Sequence, residues 1–138
     1  MGRVRRILNR RRGVETVEAL VTLPLILAVV FGGMEFGWLM MRSTQLNAAA
    51  QAGAREAALS GSTASSVDQI VSASLAAVGI KDYAIQIHPG EPDAIDPGVP
   101  VTVVVSADYG EVGLTGFGRL LPLPSQLKGS SAMLKEEP

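Results

Sequence analysis

Residues 19–41 read ALVTLPLILAVVFGGMEFGWLMM, and this stretch decides the fold. It contains a single charged side chain, Glu35. As an α-helix it would be about 34 Å long, against roughly 30 Å for the hydrocarbon core of a bilayer. It is apolar on every face, and a chain of 138 residues has no core wide enough to surround such a helix. The stretch therefore predicts a transmembrane helix rather than a buried core helix, with Trp38 as an interfacial anchor near its far end.

The charges on the two sides of this helix are segregated. The first twelve residues carry no acid and six arginines, which are Arg3, Arg5, Arg6, Arg10, Arg11 and Arg12. All thirteen acids of the chain come later, together with the other six basic residues. Because positive charge near a span stays on the cytoplasmic side, these arginines predict a cytoplasmic amino terminus and an extracytoplasmic remainder. Their place beside a span favours a topogenic role at anionic lipid over nucleic-acid binding.

An ordinary secretory signal peptide is an alternative, with cleavage near Ala48–Ala50. The apolar run is too long for one, and residues 42–59 predict a helix that continues from the span. That segment is rich in alanine, with Gly53 as its one weak helix former. Its small side chains either let another backbone approach closely or are simply good helix formers, and the sequence does not choose between the two.

Catalytic, cofactor and metal sites are not indicated. The chain has no cysteine and one histidine, so thiolate chemistry and multi-histidine metal sites are excluded. His88 is expected at the surface. Glu91, Asp93 and Asp96 have oxygen-ligand spacing without the length or glycine of an EF-hand loop, so we expect a solvated loop rather than weak calcium binding. The GLTGFG at 113–118 lacks the strand-to-helix context of a dinucleotide site. We expect no enzyme activity.

A processing motif precedes the span. Residues 10–25 read RRRGVETVEALVTLPL, in which Gly13 ends the basic cluster and Glu18 is the fifth residue after it. An acid at the mouth of a membrane span must stay at the interface or find a partner. The order of basic leader, glycine, glutamate and apolar helix resembles the type IV pilin class of signal, also called a type III signal peptide. This resemblance implies that a prepilin peptidase cuts between Gly13 and Val14, on the cytoplasmic side.

The motifs downstream resemble the TadE-like family, minor pseudopilins of the tight-adherence, or Flp-type (type IVc), pilus. Three features of that family recur here over about residues 10–58. The first is the start at Val17–Leu20, although this chain lacks the residue that the family has between the glutamate and the alanine. The second is Phe31–Gly32 followed by Glu35, and the third is the alanine-rich Ala50–Arg55. Many pilins of this system have an aromatic residue after the glutamate, where this chain has Ala19. That departure and the chain length argue against the major pilin.

The resemblance implies a structural or assembly component of the pilus. Glu18 would pair with the α-amine of Val14, in its own chain or in a neighbouring subunit, during assembly. Glu35 is expected in an interfacial or helix-packing role. The implied partners are membrane lipid, prepilin peptidase, other pilins or pseudopilins and the assembly platform, in the inner membrane or a surface pilus. A single-pass protein with an unprocessed anchor and an extracytoplasmic binding module is the alternative.

The remaining pattern predicts a small α+β, pilin-like fold. Three parts are expected: a leader over 1–13, the span over 14–41 and an extracytoplasmic domain over 42–138. Within that domain the predicted elements are a helix over about 66–78 with Ser65 as its N-cap, strands over 83–88, 99–109 and about 130–134, and a loop over 110–128. Val67, Ile70, Val71, Ser74 and Val78 are expected on one helix face, and Gly79 at its C-terminus. Along 99–109 apolar side chains on one face alternate with mostly polar side chains on the other, which indicates an antiparallel sheet packed on helices.

Overall fold

The computed structural model describes residues 2–114 and 124–137. Three helices and three strands follow one another along these ranges: α1 (Gly2–Ala58), α2 (Ala64–Ala76), β1 (Ala84–His88), β2 (Pro100–Asp108), α3 (Tyr109–Val112) and β3 (Gln126–Leu134). The chain divides into two compact units, Met1–Phe36 and Gly37–Pro138. The predicted α+β class, with a long apolar amino-terminal helix, a second helix and a short antiparallel sheet, is confirmed.

The first unit is helical and carries the apolar run. One helical segment, Glu15–Ala58, is long and apolar enough to cross a membrane, and none of its most apolar window is buried. Large apolar side chains from Val17 to Phe36 are exposed, with Leu20, Val21 and Val29 more than 65% accessible. A helix that presents such side chains in all directions is stable when lipid covers it. Pro24 lies inside this helix, which a membrane span tolerates.

The core of the second unit lies between the carboxy-terminal part of α1, helix α2 and one face of the sheet. The small residues of α1 face inward and are buried, namely Ala49, Ala50, Ala54, Ala57 and Ala58. A Cβ added at Gly53 would lie 2.7 Å from Val71 Cγ2 and 3.3 Å from Val103 Cγ1. The small side chains therefore serve close approach, and the surfaces that approach are α2 and the sheet of the same chain.

Helix α2 begins earlier than predicted. Its N-cap is Thr63 rather than Ser65, because the Thr63 hydroxyl accepts from the Ser66 amide at 3.2 Å while the Ser66 hydroxyl accepts from the Thr63 amide at 3.2 Å. This reciprocal capping box satisfies two amide donors of the first turn. Helix α2 ends at Ala76, two residues before the predicted end, and Gly79 follows with φ +76°.

The buried face of α2 also differs from the predicted one. Val67, Val71 and Leu75 are fully buried, whereas Ile70 is 41% exposed and Ser74 and Val78 are only partly buried. Residues four apart on a helix lie above one another, so these three form a narrow stripe. A narrow stripe suffices because Gly53 lets α1 lie directly against it.

The sheet has the order β1-β2-β3 with both pairings antiparallel. Val101, Val103, Val105 and Ala107 of β2 are buried, as the alternation predicted. Strand β3 begins at Gln126, four residues before the predicted start, so its first residues were wrongly placed in a loop. Its pairing with β2 runs from Asp108↔Gln126 to Pro100↔Leu134. The start of that predicted loop is also wrong, because Tyr109–Val112 form helix α3. Residues 115–123 of the loop, which include most of GLTGFG, lie outside the described residues.

Lys135 closes the carboxyl end of α1. Its side chain is only 7% exposed, and Nζ donates to Ala57 O at 3.0 Å, Leu59 O at 2.7 Å and Ser62 Oγ at 3.0 Å. The last carbonyls of a helix lack intrahelical donors and form the negative end of its dipole. A buried ammonium bonded to these carbonyls both satisfies them and has its own charge compensated.

Lys135→Met is expected to lower the free energy of unfolding by about 2–3 kcal/mol, since it removes charged hydrogen bonds and leaves buried carbonyls without a donor. The measurement is denaturant unfolding of the detergent-solubilised chain, followed by circular dichroism. Lys128→Met is the matched control, because Lys128 is an exposed lysine of β3. Equal stability of the two variants would contradict this role of Lys135.

Candidate functional site on the amino-terminal helix

The predicted processing residues lie on continuous α-helix. Gly13, Val14 and Glu18 all belong to α1. The side chains of residues 2–14, among them the leader arginines, lie outside the described structure. Residues four apart share one helix face, and the rise between them is about 6 Å. A chain that begins at Val14 would therefore hold its α-amine one turn from the Glu18 carboxylate.

Glu15 and Glu18 are exposed on α1, directly before the apolar run. Both side chains point away from the helix into its surroundings. If the helix spans a membrane, those surroundings are lipid from Ala19 onward. A carboxylate that enters hydrocarbon is strongly penalised unless a cation accompanies it. The position of Glu18 thus allows a pairing role but does not by itself select a partner.

Glu35 is buried, with no exposed surface. It also takes part in an interaction within the described structure. The interfacial and helix-packing roles expected for it both stay predictions. Its apolar neighbours Met34 and Phe36 are exposed.

Trp38 and Arg42 form a cluster with two segments of the second unit. Trp38 Nε1 donates to Val112 O at 2.7 Å, and the Arg42 guanidinium lies 4.7 Å from the centre of the Trp38 ring. Arg42 Nη1 also donates to Val78 O at 2.7 Å and to Gln45 Oε1 at 3.0 Å. Because Val78 follows the carboxyl end of α2, the cation lies at the negative end of that helix dipole.

The sequence predicted Trp38 as an interfacial anchor and indicated no role for Arg42. The structure adds that both side chains hold α1 to the segments after α2 and in α3. Their spacing of four residues on a helix, an arginine one turn after a tryptophan, is the local signal that indicates stacking.

The predicted metal and surface positions outside α1 are placed as follows. Within residues 2–114 and 124–137, no group of three or more histidines or acids could hold a metal ion. His88 is exposed at the end of β1, as expected. Glu91, Asp93 and Asp96 are exposed around a short 3-10 turn, Pro92–Ala94.

The amino-terminal helix carries the likeness to known proteins. Residues 13–55 match the family model described as TadE-like protein. The match begins at the predicted processing glycine and ends at the last residue of the alanine-rich motif. No curated protein and no solved structure matches the chain at a significant level. The family suggests a component associated with the tight-adherence pilus, a structural rather than enzymatic role. The family resemblance seen in the sequence is confirmed over residues 13–55, which are similar to the TadE-like family.

Proposed function

We propose that this protein is a minor pseudopilin of a tight-adherence pilus. It inserts with its amino terminus in the cytoplasm, is cut between Gly13 and Val14 by a prepilin peptidase, and joins other pilins and the assembly platform through α1. The observation that carries the proposal is the TadE-like match, which begins at Gly13 and covers the whole apolar run. Anionic lipid holds the leader arginines until they are removed.

The architecture supports this role in a second way. The apolar side chains of the first unit are exposed along the helix, so the same surface that lipid covers in a membrane is available to the helices of neighbouring subunits. Between helices in lipid, association depends on packing and on paired polar groups rather than on the hydrophobic effect. Glu18 is the exposed polar group whose position matches the family's pairing acid.

Processing is tested with the variant Gly13→Leu. The wild-type chain, purified from membranes of a strain that carries a prepilin peptidase, is expected to begin at Val14 by intact-mass analysis. Gly13→Leu is expected to remain full length in the membrane, because a branched side chain obstructs the approach of the peptidase to the scissile bond.

The matched control is Gly32→Leu, a glycine of the same helix at which an added Cβ meets nothing within 4 Å. This variant is expected to be trimmed like the wild type. A wild-type chain that keeps residues 1–13 would contradict the proposal and favour the unprocessed anchor with a binding module. A chain that begins near Gln51 would instead support an ordinary signal peptide.

A further inference from the structure

We propose that the free edge of β1 binds an extended, basic segment of another protein, which adds to the sheet as a fourth strand. The site consists of the outer edge of Ala84–His88 and the groove beside it. The inference goes beyond the proposed function, because it concerns the second unit alone and depends neither on processing nor on the membrane helix.

The hydrogen bonds of β2 determine which backbone groups of β1 are free. Along a strand of an antiparallel sheet, residues that bond to one side alternate with residues that bond to the other. The Tyr109 amide donates to Ser125 O at 2.9 Å and continues the register of β2 with β3, so the odd residues of β2 bond to β3. The even residues of β2 therefore bond to the even residues of β1. The N–H and C=O groups of Ile85 and Ile87 point away from β2, and no described residue bonds to them.

The two edges of the sheet differ in how they are protected. Helix α1 lies beside β3, where the Ser130 amide donates to Asn47 Oδ1 at 3.2 Å. Just beyond that strand, the Glu136 amide donates to Ala58 O at 2.8 Å. Proteins commonly protect an edge strand with proline, a charged side chain or a bulge. The segment Ala84–His88 contains no proline and no Asp, Glu, Lys or Arg, and it pairs with β2 without interruption. Such an edge is a template for another strand.

An open groove of about 400 Å³ runs along the free edge of β1. It is lined by Ile85 and Ile87 of β1, Ala64 and Asp68 of α2, and Gly90 and Glu91 after β1. The two isoleucine side chains pack against the core but are only half-buried. A strand added at this edge would cover their remaining apolar surface and lie against the first turns of α2. Alternate side chains of that strand would point into the groove.

The charged side chains that line the groove are both acids, Asp68 and Glu91. Both are exposed, and neither bonds to another described residue. Lys81 and Asp82 precede β1 and do not line the groove. Complementary charge favours encounter with a partner and selects among partners. The segment that fits therefore has branched apolar side chains beside the two isoleucines and lysine or arginine beside the two acids.

A second copy of this chain fits the same edge less well. Pairing of β1 with another β1 would use the same patch on both copies. It would bring Asp68 and Glu91 of both copies to one contact, and like charges at a contact oppose association. A basic segment of a different protein has the opposite charge, so we commit to that occupant.

The test uses the peptide Lys-Thr-Val-Thr-Val-Thr-Lys, blocked at both ends and labelled with a fluorophore. As a strand it presents valines and lysines on one face and threonines on the other. We expect it to bind the detergent-solubilised full chain saturably below about 1 mM, measured by fluorescence anisotropy. The same peptide with glutamate in place of lysine is expected to bind more weakly. No binding of the lysine peptide, or equal binding of the two peptides, would overturn the proposal.

Amide exchange measured by NMR locates the bound peptide. Exchange is expected to slow at Ile85 and Ile87 when the lysine peptide binds. It is expected to stay unchanged at Gln86, whose backbone groups already bond to β2. Binding that leaves exchange at the two isoleucines unchanged would place the peptide elsewhere and contradict the proposal. Slow exchange at both isoleucines in a peptide-free dimer would identify a second copy as the occupant and likewise contradict it.

Methylation of the peptide nitrogens tests strand pairing without altering the protein. Alternate residues of an added strand bond to β1, so methyl groups on the valine nitrogens and on the threonine nitrogens have unequal effects. One methylated peptide is expected to lose binding and the other to keep it. Loss with the valine set indicates an antiparallel added strand, and loss with the threonine set a parallel one. Equal behaviour of the two peptides would rule out strand pairing.

The acids of the groove are tested with the double variant Asp68→Asn, Glu91→Gln. It is expected to bind the lysine peptide several-fold more weakly at low ionic strength, where exposed charges are least screened. The matched control is Asp93→Asn, Asp96→Asn, which removes two exposed acids that do not line the groove. This control is expected to bind like the wild type. Equal affinities of the two double variants would show that the groove does not select a basic segment, and the proposed partner chemistry would be wrong.

Discussion

Glu18→Ala is expected to leave membrane insertion and trimming after Gly13 intact and to abolish assembly. If Glu18 pairs with the α-amine of Val14 in a neighbouring subunit, the variant leaves that ammonium uncompensated in apolar surroundings. Loss of one partner of such a pair weakens the subunit contact by roughly a hundredfold or more. The readouts are co-purification with other pilus subunits from detergent and counts of surface pili.

Glu15→Ala is the matched control for this experiment. Glu15 is also exposed on α1, three residues away, and no role of the family maps to it. It is expected to behave like the wild type in both readouts. If Glu18→Ala assembles as well as Glu15→Ala, Glu18 has no pairing role and only the cleavage argument remains. Improved insertion of Glu18→Ala without loss of assembly would identify Glu18 as an acid that the interface merely tolerates.

Gly129→Val is expected to prevent the second unit from packing. An added Cβ at Gly129 would overlap the backbone of Leu46 and Asn47, lying 2.5 Å from Leu46 O. Backbone atoms of a buried helix cannot move aside as a flexible side chain can. Overpacking commonly costs about 1–3 kcal/mol, and a branched side chain against backbone belongs at or above the upper end. The measurements are thermal unfolding in detergent and limited proteolysis of membranes.

Gly110→Ala is the control for Gly129, because a Cβ at Gly110 meets nothing within 4 Å. It is expected to leave the unfolding midpoint unchanged or slightly raised, since alanine forms helix better than glycine. Gly129→Ala should fall between the control and Gly129→Val. Wild-type stability of Gly129→Val would show that β3 does not lie against α1 in the way the structure places it.

The sequence by itself determined the features that depend on one segment and its surroundings. The length and uniformly apolar character of residues 19–41 mark a candidate membrane span whatever the rest of the chain does, and the motifs from Gly13 to Arg55 carried the family resemblance. Alternation along Val101–Ala107 likewise determined which side of β2 is buried. In each case the evidence lies within a single helix or strand. There the composition, or the spacing of apolar residues, depends directly on which side chains face lipid, core or water.

Only the tertiary structure decided the features that join distant segments. Strand β3 carries glycine and serines and has weak strand propensity, and it forms because β2 pairs with it and Gly129 fits against α1. The role of Lys135 depends on carbonyls more than seventy residues away, and that of Arg42 on Val78. No spacing of residues along the chain predicts these contacts, because the fold alone brings their partners together.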